Sequence, residues 1–157
     1  MKHLLIVILL FISSLSFAQV TASASVNYGL RLDNATNQFN YQTGFTVTPA
    51  YKHQKFEFGL RSTAYISNTM DLPQLFTGIN IAYPIFRISY DGEGASDNGQ
   101  HKLILAGHWL YGSQGYQLIG GTLSYSIDCD WKVDVDMSQE YKTKQFYSSV
   151  GVSYLLF

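Results

Sequence analysis

The sequence has little charge, almost no cysteine and few prolines. Lys, Arg, Asp and Glu make up only 13% of the 157 residues, about half the share usual in soluble globular proteins. The formal net charge is -1; without a basic surface to neutralise a phosphate backbone, we expect no nucleic-acid partner. The single cysteine, Cys129, has no internal disulfide partner, and we expect it to be an inert small side chain near a turn. The surface must therefore be covered mainly by uncharged side chains.

Long apolar runs are also missing beyond the first residues. The run Leu4 to Ile12 follows the basic residue Lys2 and precedes a stretch of small residues that ends at Ala18. This three-zone order is that of a secretory signal peptide, and the run is about half of the ~20 residues that a membrane-spanning helix needs. The sequence therefore predicts a signal peptide over residues 1–18 and one mature domain over residues 19–157. If that domain is bound to a membrane, a helix does not anchor it.

The mature sequence instead alternates apolar and polar residues with a period of two, segment after segment. Such alternation predicts β-strands with one apolar and one polar face. Neither a helical period nor a solenoid repeat is present. The predicted strand segments are Val20–Asp33, Phe39–Tyr51, Phe56–Ser67, Leu75–Tyr90, Lys102–Tyr111, Tyr116–Ile127, Trp131–Tyr141 and Gln145–Phe157.

The segment Leu75–Tyr90 has two interpretations, because its apolar parity shifts by one residue at Pro84. It is either one strand with a β-bulge at the proline or two short strands in a hairpin. Nine strands in a closed antiparallel barrel would put the two ends of the barrel segment on opposite sides, whereas bacterial single-chain membrane barrels have even strand numbers. We therefore predict eight strands, with Asp91–His101 as a loop on the same side as both ends of the mature domain.

The polar face indicates which solvent the apolar face meets. A soluble barrel carries many Lys, Glu and Arg residues on its outer face. Here the polar parity is mostly Ser, Thr, Asn, Gln and Gly with a few charges of both signs, which suits a narrow barrel interior. The charged residues assigned to that interior, which we expect to form mutually neutralising pairs, are Arg31, Glu57, Arg61, Asp134, Asp136 and Glu140.

Aromatic residues lie towards the ends of the predicted strands, as the girdles at the two membrane interfaces require. They are Tyr28, Tyr41, Tyr51, Phe56, Tyr111, Tyr116, Trp131 and Tyr141. The sequence therefore predicts an all-β fold, an eight-stranded antiparallel up-and-down transmembrane β-barrel.

The signal segment, the eight alternating segments and the ending Val150–Phe157 resemble the small outer-membrane β-barrel proteins of Gram-negative bacteria, the OmpA/OmpX-like class. The resemblance spans the whole mature domain and implies an outer-membrane location, contact with outer-membrane lipid and a monomer. In that class the barrel assembly machinery recognises a carboxy-terminal Phe, a role that the resemblance implies for Phe157. The main apolar set of the last segment is one residue out of phase with Phe157, at Val150, Val152 and Tyr154.

Candidate catalytic residues are few. Nucleophilic acyl transfer needs a serine with a histidine base within reach. No serine lies in a Gly-x-Ser-x-Gly elbow, and the mature histidines are His53, His101 and His108. His108, within a strand, is the candidate base; the alternative interpretation is a wall residue hydrogen-bonded in the lumen.

No cofactor or metal site is predicted. The stretch Asp91–Asp97 resembles a calcium loop, but Ala95 stands where an oxygen ligand is needed and Ser96 where the turn glycine is needed. We expect a solvated loop there. Asp134 and Asp136 share a strand face, where pairing with arginine is the better interpretation than a metal.

Three functional hypotheses follow. The first is a non-enzymatic outer-membrane barrel with a structural, envelope-integrity or surface-interaction role. The second is a lipid-modifying outer-membrane barrel enzyme that uses His108. The third is a soluble exported barrel of inverted parity that binds a small apolar ligand in its lumen.

Overall fold

The alternating segments form strands, which in the computed structural model are β1 (Gln19–Asp33), β2 (Gln38–His53), β3 (Phe56–Ser67), β4 (Gln74–Ser89), β5 (Gln100–Gly112), β6 (Gln117–Ser126), β7 (Trp131–Glu140) and β8 (Phe146–Leu155). Each strand pairs antiparallel with the next, and β1 pairs with β8, so the sheet closes into a barrel. The all-β, eight-stranded, up-and-down architecture predicted from the alternation is confirmed. A 3₁₀ turn, Ser113–Gly115, follows β5.

The structure describes residues 19–33, 36–67, 73–89, 100–127 and 130–156. The predicted signal peptide, Cys129, Phe157 and the stretch Asp91–Asp97 lie outside the described residues. Within them, no helix has the length and apolar character needed to cross a membrane.

The ambiguous fourth segment is one bulged strand. β4 pairs with β5 from Phe76 to Ser89, and the register shifts between Pro84 and Phe86. Ile85 and Phe86 are consecutive and both exposed, which is the local signature of an extra residue in one strand of a pair. Proline has no N–H to donate to a ladder, so a bulge is where a strand tolerates it. The prediction of eight strands is therefore confirmed.

The antiparallel order gives the barrel two distinct ends. We call the terminal end the one where β1 begins and β8 ends; the connections after β2, β4 and β6 join strands there. The distal end carries the connections after β1, β3, β5 and β7. β4 therefore ends, and β5 begins, at the terminal end.

The apolar parity of the strands faces outward. Among the described side chains, exposed large hydrophobic residues are more than three times as numerous as buried hydrophobic ones. The buried positions are largely polar, and they include Asn27, Thr46, Arg61 and Ser153. The hypothesis of an inverted barrel with an apolar lumen is therefore wrong, because Ser, Thr and charged side chains take the inward positions.

Apolar side chains nevertheless fill the lumen near the distal end. This distal plug consists of Tyr65, Phe76, Leu110, Leu118 and Tyr147, all buried and in mutual contact. It explains why Tyr65 breaks the alternation of the third segment: Tyr65 faces inward, and its ring packs against Phe76 and Tyr147 with centroids 6.0 and 5.7 Å apart.

Glycines make room for the rings of the plug. A Cβ at Gly44 would lie 2.9 Å from the Tyr65 ring, and one at Gly112 would lie 2.5 Å from the Phe76 ring. At these two inward positions of β2 and β5, only glycine leaves space for an aromatic side chain in so narrow a barrel.

Candidate functional site in the barrel interior

A polar cluster lies in the lumen next to the distal plug. Four strands supply its side chains, which are Arg61 on β3, His108 on β5, Thr122 on β6, and Asp136 and Ser138 on β7. All five are buried. Each lies on the inward parity of its strand, because the period of two sends alternate side chains into the lumen. We call these five residues the central cluster.

Gly120 lets two strands that are not neighbours touch within this cluster. The register places His108 opposite Gly120, and Gly120 opposite Ser138. A Cβ at Gly120 would lie 2.5 Å from Ser138 Oγ. Because β6 has no side chain at this point, the His108 ring extends across it, and its Nε2 lies 2.8 Å from Ser138 Oγ.

Asp136 is the common acceptor of the cluster. Its Oδ2 lies 2.8 Å from Arg61 Nη1 and accepts a hydrogen bond of 2.7 Å from Thr122 Oγ1. Its Oδ1 accepts from Ser138 Oγ at 2.9 Å. Arg61 Nη1 also donates to Thr122 Oγ1 at 2.7 Å. A buried carboxylate with an ion pair and two hydroxyl donors has the partners that its removal from water requires.

Arg61 also determines where the proton of His108 lies. Its Nη1 is 3.2 Å from His108 Nδ1, and a guanidinium only donates. Nδ1 must therefore be the acceptor, so the ring hydrogen is on Nε2 and is donated to Ser138 Oγ. Ser138 in turn donates its own hydrogen to Asp136.

This direction of hydrogen bonding is the reverse of a catalytic serine–histidine pair. A general base must offer a free nitrogen to the serine hydroxyl, whereas His108 offers an N–H. The other contact of such a triad, from His108 Nδ1 to Asp136 Oδ2, is 3.9 Å long, which is beyond hydrogen-bond distance. Ser138 is also only 2% exposed. In this arrangement the contacts of the central cluster link β3, β5, β6 and β7.

The network continues across the lumen to the first two strands. Arg61 Nε donates to Thr63 Oγ1 at 3.3 Å, and Thr63 is hydrogen-bonded to Thr46 at 3.0 Å. Asn27 Nδ2 on β1 donates to Thr46 Oγ1 at 3.2 Å. Hydrogen bonds therefore connect β1, β2 and β3 to β5, β6 and β7 through the barrel interior.

The six predicted interior charges all lie on the inward parity, but they do not form one set of neutralising pairs. Arg61 and Asp136 pair directly. Glu140 is instead held by the connection that follows β7: it accepts from the backbone N–H groups of Lys142 and Thr143 and from Thr143 Oγ1. Arg31 lies opposite Tyr147 in the β1–β8 register, near the distal end. The expectation of neutralising pairs is thus wrong for Glu140, because backbone donors satisfy that carboxylate.

The remaining two predicted charges, Glu57 and Asp134, line a cavity on the terminal side of the central cluster. Neither has a hydrogen bond or ion pair to another residue in the described part of the chain. We call this space the terminal cavity; its volume is about 80 Å³. Sequence reasoning did not find the cavity, nor the roles of Thr122 and Ser138. The cavity and these two roles depend on which inward residues of different strands lie at the same level along the barrel axis.

Among the described residues, no group of three or more His, Cys, Asp or Glu side chains is arranged to hold a metal ion. Asp134 and Asp136 do share one face of β7, as the sequence indicates. Asp136 pairs with Arg61.

Comparison with known proteins identifies structural likeness only. No family model matches the chain, and no curated protein matches it significantly. Among the solved structures that are similar to it are two with a TM-score of 0.49 and 12% sequence identity each. One is described as a de novo design of transmembrane β-barrels and is matched over 87% of this chain and 95% of that chain. The other is Neisserial surface protein A, NspA, matched over 86% of this chain and 96% of that chain. Likenesses of this degree indicate nothing about ligand or activity.

Proposed function

We propose that the protein is a non-enzymatic, monomeric outer-membrane β-barrel with a structural role in the cell envelope. On this proposal the segment 1–18 directs export and is removed, outer-membrane lipid surrounds the barrel, and Phe157 is recognised by the barrel assembly machinery. The observation that carries the membrane location is the distribution of charge over the two faces of the strands.

No described outward-facing strand side chain is Lys, Arg, Asp or Glu. The charged strand residues with described side chains have inward parity, and they are Arg31, Asp33, Lys52, Glu57, Arg61, Lys102, Lys132, Asp134, Asp136 and Glu140. An outer face in water would carry charge for solubility. An outer face in lipid must avoid it, because a charge at the bilayer midplane is unfavourable by about 2–4 kcal/mol for Arg or Lys.

Aromatic side chains form two belts on the same outer face. Near the distal end, Tyr28 stacks on Tyr41 with ring centroids 6.1 Å apart, and Trp109 stacks on Tyr111 at 5.5 Å. Near the terminal end, Phe56 packs on Tyr83 at 5.0 Å and Trp131 on Tyr154 at 4.8 Å. Aliphatic side chains lie between the belts, among them Val26, Leu60, Ile79, Leu123 and Val150. Two aromatic belts flanking an apolar band are typical of membrane barrels.

The few outward hydroxyls also fit a lipid environment. Ser62 on β3 and Thr77 on β4 are exposed and hydrogen-bonded to each other at 3.2 Å. In lipid, where water is absent, a hydroxyl is stabilised by such an internal partner.

A structural role is favoured over transport because side chains fill the distal half of the lumen. The distal plug and the central cluster lie one above the other across a barrel of eight strands, a size at which side chains alone can fill the interior. A structural role is favoured over catalysis because the His108–Ser138 hydrogen bond runs in the wrong direction for a nucleophile.

Membrane fractionation tests the location. Cells expressing the protein should retain it in the outer-membrane fraction after osmotic release and high-salt washing, and detergent should extract it. A periplasmic protein of similar size serves as the control for release. Full recovery of the barrel in the soluble osmotic-release fraction would overturn the membrane proposal.

Lipid analysis tests the non-enzymatic part. Outer-membrane lipids from cells expressing the wild type, His108→Ala or Ser138→Ala should have the same composition, with equal amounts of folded barrel in each. A lipid modification present with the wild type and lost with folded His108→Ala would establish the enzyme hypothesis instead.

A further inference from the structure

The terminal cavity exists because the inward side chains of the terminal half are small. Its walls carry the hydroxyls of Thr21, Ser23, Ser25, Thr46, Thr48, Thr122, Ser124 and Ser153. An eight-stranded barrel has just enough interior for its own side chains or for one small ligand. Here the distal half is filled by aromatic and leucine side chains, and the terminal half is left open by serine, threonine and alanine.

One side of the cavity is apolar. Ala82, Ile104 and Ala106 form a buried cluster on β4 and β5, and all three line the cavity. A short hydrocarbon chain would pack against this wall without breaking any hydrogen bond of the central cluster.

The cavity carries an excess of negative charge. Its charged lining residues are three carboxylates, Glu57, Asp134 and Asp136, and two cations, Arg61 and Lys132. The Arg61 guanidinium is already paired with Asp136. This leaves two carboxylates and one ammonium facing the open space.

Asp134 is the distinctive group. Its residue is only 9% exposed, yet within the described part of the chain its carboxylate has no hydrogen bond or ion pair. Lys132 lies two positions away on the same face of β7, and no ion pair joins it to Asp134. The Asp134 carboxylate lines the open space of the cavity, where a cation with N–H donors can form a charge-assisted hydrogen bond to it.

We propose that the terminal cavity binds a small organic ammonium ion, with its charged group on Asp134, hydroxyls around it and a short hydrocarbon chain against Ala82, Ile104 and Ala106. A metal ion would make no apolar contact with this wall, and an anion would be repelled by the excess of carboxylates. The proposal concerns the lumen alone and does not depend on the outer-membrane location. It therefore stands or fails separately from the proposed function.

The test uses the whole folded barrel, in phosphatidylcholine vesicles or, where fractionation shows a soluble protein, in buffer, and titrates it calorimetrically with n-butylammonium chloride. We expect saturable binding to the wild type. Asp134→Asn should weaken it about tenfold or more, equivalent to about 1.4 kcal/mol or more. The matched control is Asp130→Asn, which makes the same charge change on an exposed residue between β6 and β7 at the same end of the barrel, and it should bind like the wild type.

Two further measurements keep the test decisive. Ala106→Leu narrows the cavity without changing its charge and should abolish binding even if Asp134→Asn fails to fold. n-Butanol, which has the chain without the charge, should not compete. Absence of saturable binding to the wild type, or equal affinities for Asp134→Asn and Asp130→Asn, would overturn the proposal.

The ammonium could come from a free amine or from a lipid headgroup, so the titration is repeated in vesicles containing phosphatidylethanolamine. Unchanged affinity there identifies a soluble amine as the occupant. Reduced affinity for n-butylammonium identifies the lipid amine, since it would compete for Asp134.

Discussion

At the scale of single residues, the interior is organised by donors and acceptors more than by opposite charges. Asp136 is satisfied by one cation and two hydroxyls, and Glu140 by backbone N–H groups and a threonine. Both are acidic, inward and almost fully buried, yet only one has a cationic partner. Net charge in the lumen is therefore a poor guide to which pairs form.

The first prediction concerns the ion pair of the central cluster. Arg61→Met should lower the free energy of unfolding, because it leaves Asp136 buried without its cation. Adding Asp136→Asn should restore part of the loss, with a coupling energy of about 0.5–3 kcal/mol. Urea unfolding in lipid vesicles measures both.

The control for this pair of substitutions is Glu140→Gln in the Arg61→Met background. Glu140 is bonded to the connection after β7 and not to Arg61, so its effect should simply add to that of Arg61→Met. Equal couplings for Asp136 and Glu140 would mean that overall lumen charge, and not the observed pair, determines stability.

At the scale of a strand, the period of two gives each position a single environment. On β7, Val133, Val135 and Met137 face outward while Asp134 and Asp136 face the lumen. The two sets should respond differently to a new charge.

We expect Val135→Arg to cost about 2–4 kcal/mol of folding free energy in vesicles, as for an arginine on the lipid face near the midplane. Val135 lies between Leu123 and Val150 in the sheet. The matched variant is Thr48→Arg, which should cost clearly less because Thr48 lines the terminal cavity and its longer side chain can extend to water. Similar costs at the two positions would contradict the outward assignment.

Ser138 is unsuited as the inward control, although its parity alone recommends it. Its hydroxyl accepts from His108 and donates to Asp136, so an arginine there would break the central cluster. An inward position alone does not make a residue tolerant of arginine. The lumen beside it must also have room for the longer side chain.

The bulge in β4 leads to a second prediction at this scale. Because β4 is one strand, it ends at the terminal end, where the turn at Gln54 also lies, and we expect Ser96 on that side. In a Cys129→Ser background, Ser96→Cys should be labelled by a membrane-impermeant thiol reagent from the same side as Gln54→Cys. Ser113→Cys, at the distal end, should be labelled from the opposite side. Labelling of Ser96→Cys together with Ser113→Cys in intact cells would mean that the strand count is wrong.

At the scale of the whole molecule, the barrel is asymmetric along its axis. The distal half is closed by the distal plug, the middle is crossed by hydrogen bonds, and the terminal half contains the terminal cavity. Packing in the lumen should therefore contribute most to stability near the distal end.

We predict that Phe76→Ala destabilises the barrel by roughly 3–5 kcal/mol, the range for a buried aromatic residue that leaves a cavity. Phe76 is 2% exposed, and protein surrounds its ring. Phe45→Ala, on the outer face, should cost much less because lipid chains can fill the space left there. Equal losses in urea unfolding would show that the plug does not pack as observed.

The sequence alone determined the properties that depend on neighbouring residues. The strand segments, the break in parity at Pro84, the inward parity of the six charges and the placement of His108 within a strand wall all follow from a repeat of two residues and its interruptions. Each can be recognised within a segment of about 16 residues, because side chains alternate sides whatever the strand pairs with. The pairing of β4 with β5 decided that the break is a bulge and not a hairpin.

Only the tertiary structure decided which inward side chains meet. His108 contacts Ser138 because the registers on both sides of β6 align them across Gly120. Tyr65 joins the distal plug because β4, β5, β6 and β8 bring apolar side chains to the same height. Within the described residues, Asp134 has no hydrogen-bond or ion-pair partner, whereas Asp136 contacts Arg61, Thr122 and Ser138. The position of a side chain along the barrel axis is fixed by the stagger between strands far apart in the sequence. Alternation within one strand does not record that stagger, and therefore the sequence could predict the faces of this barrel but not its contacts.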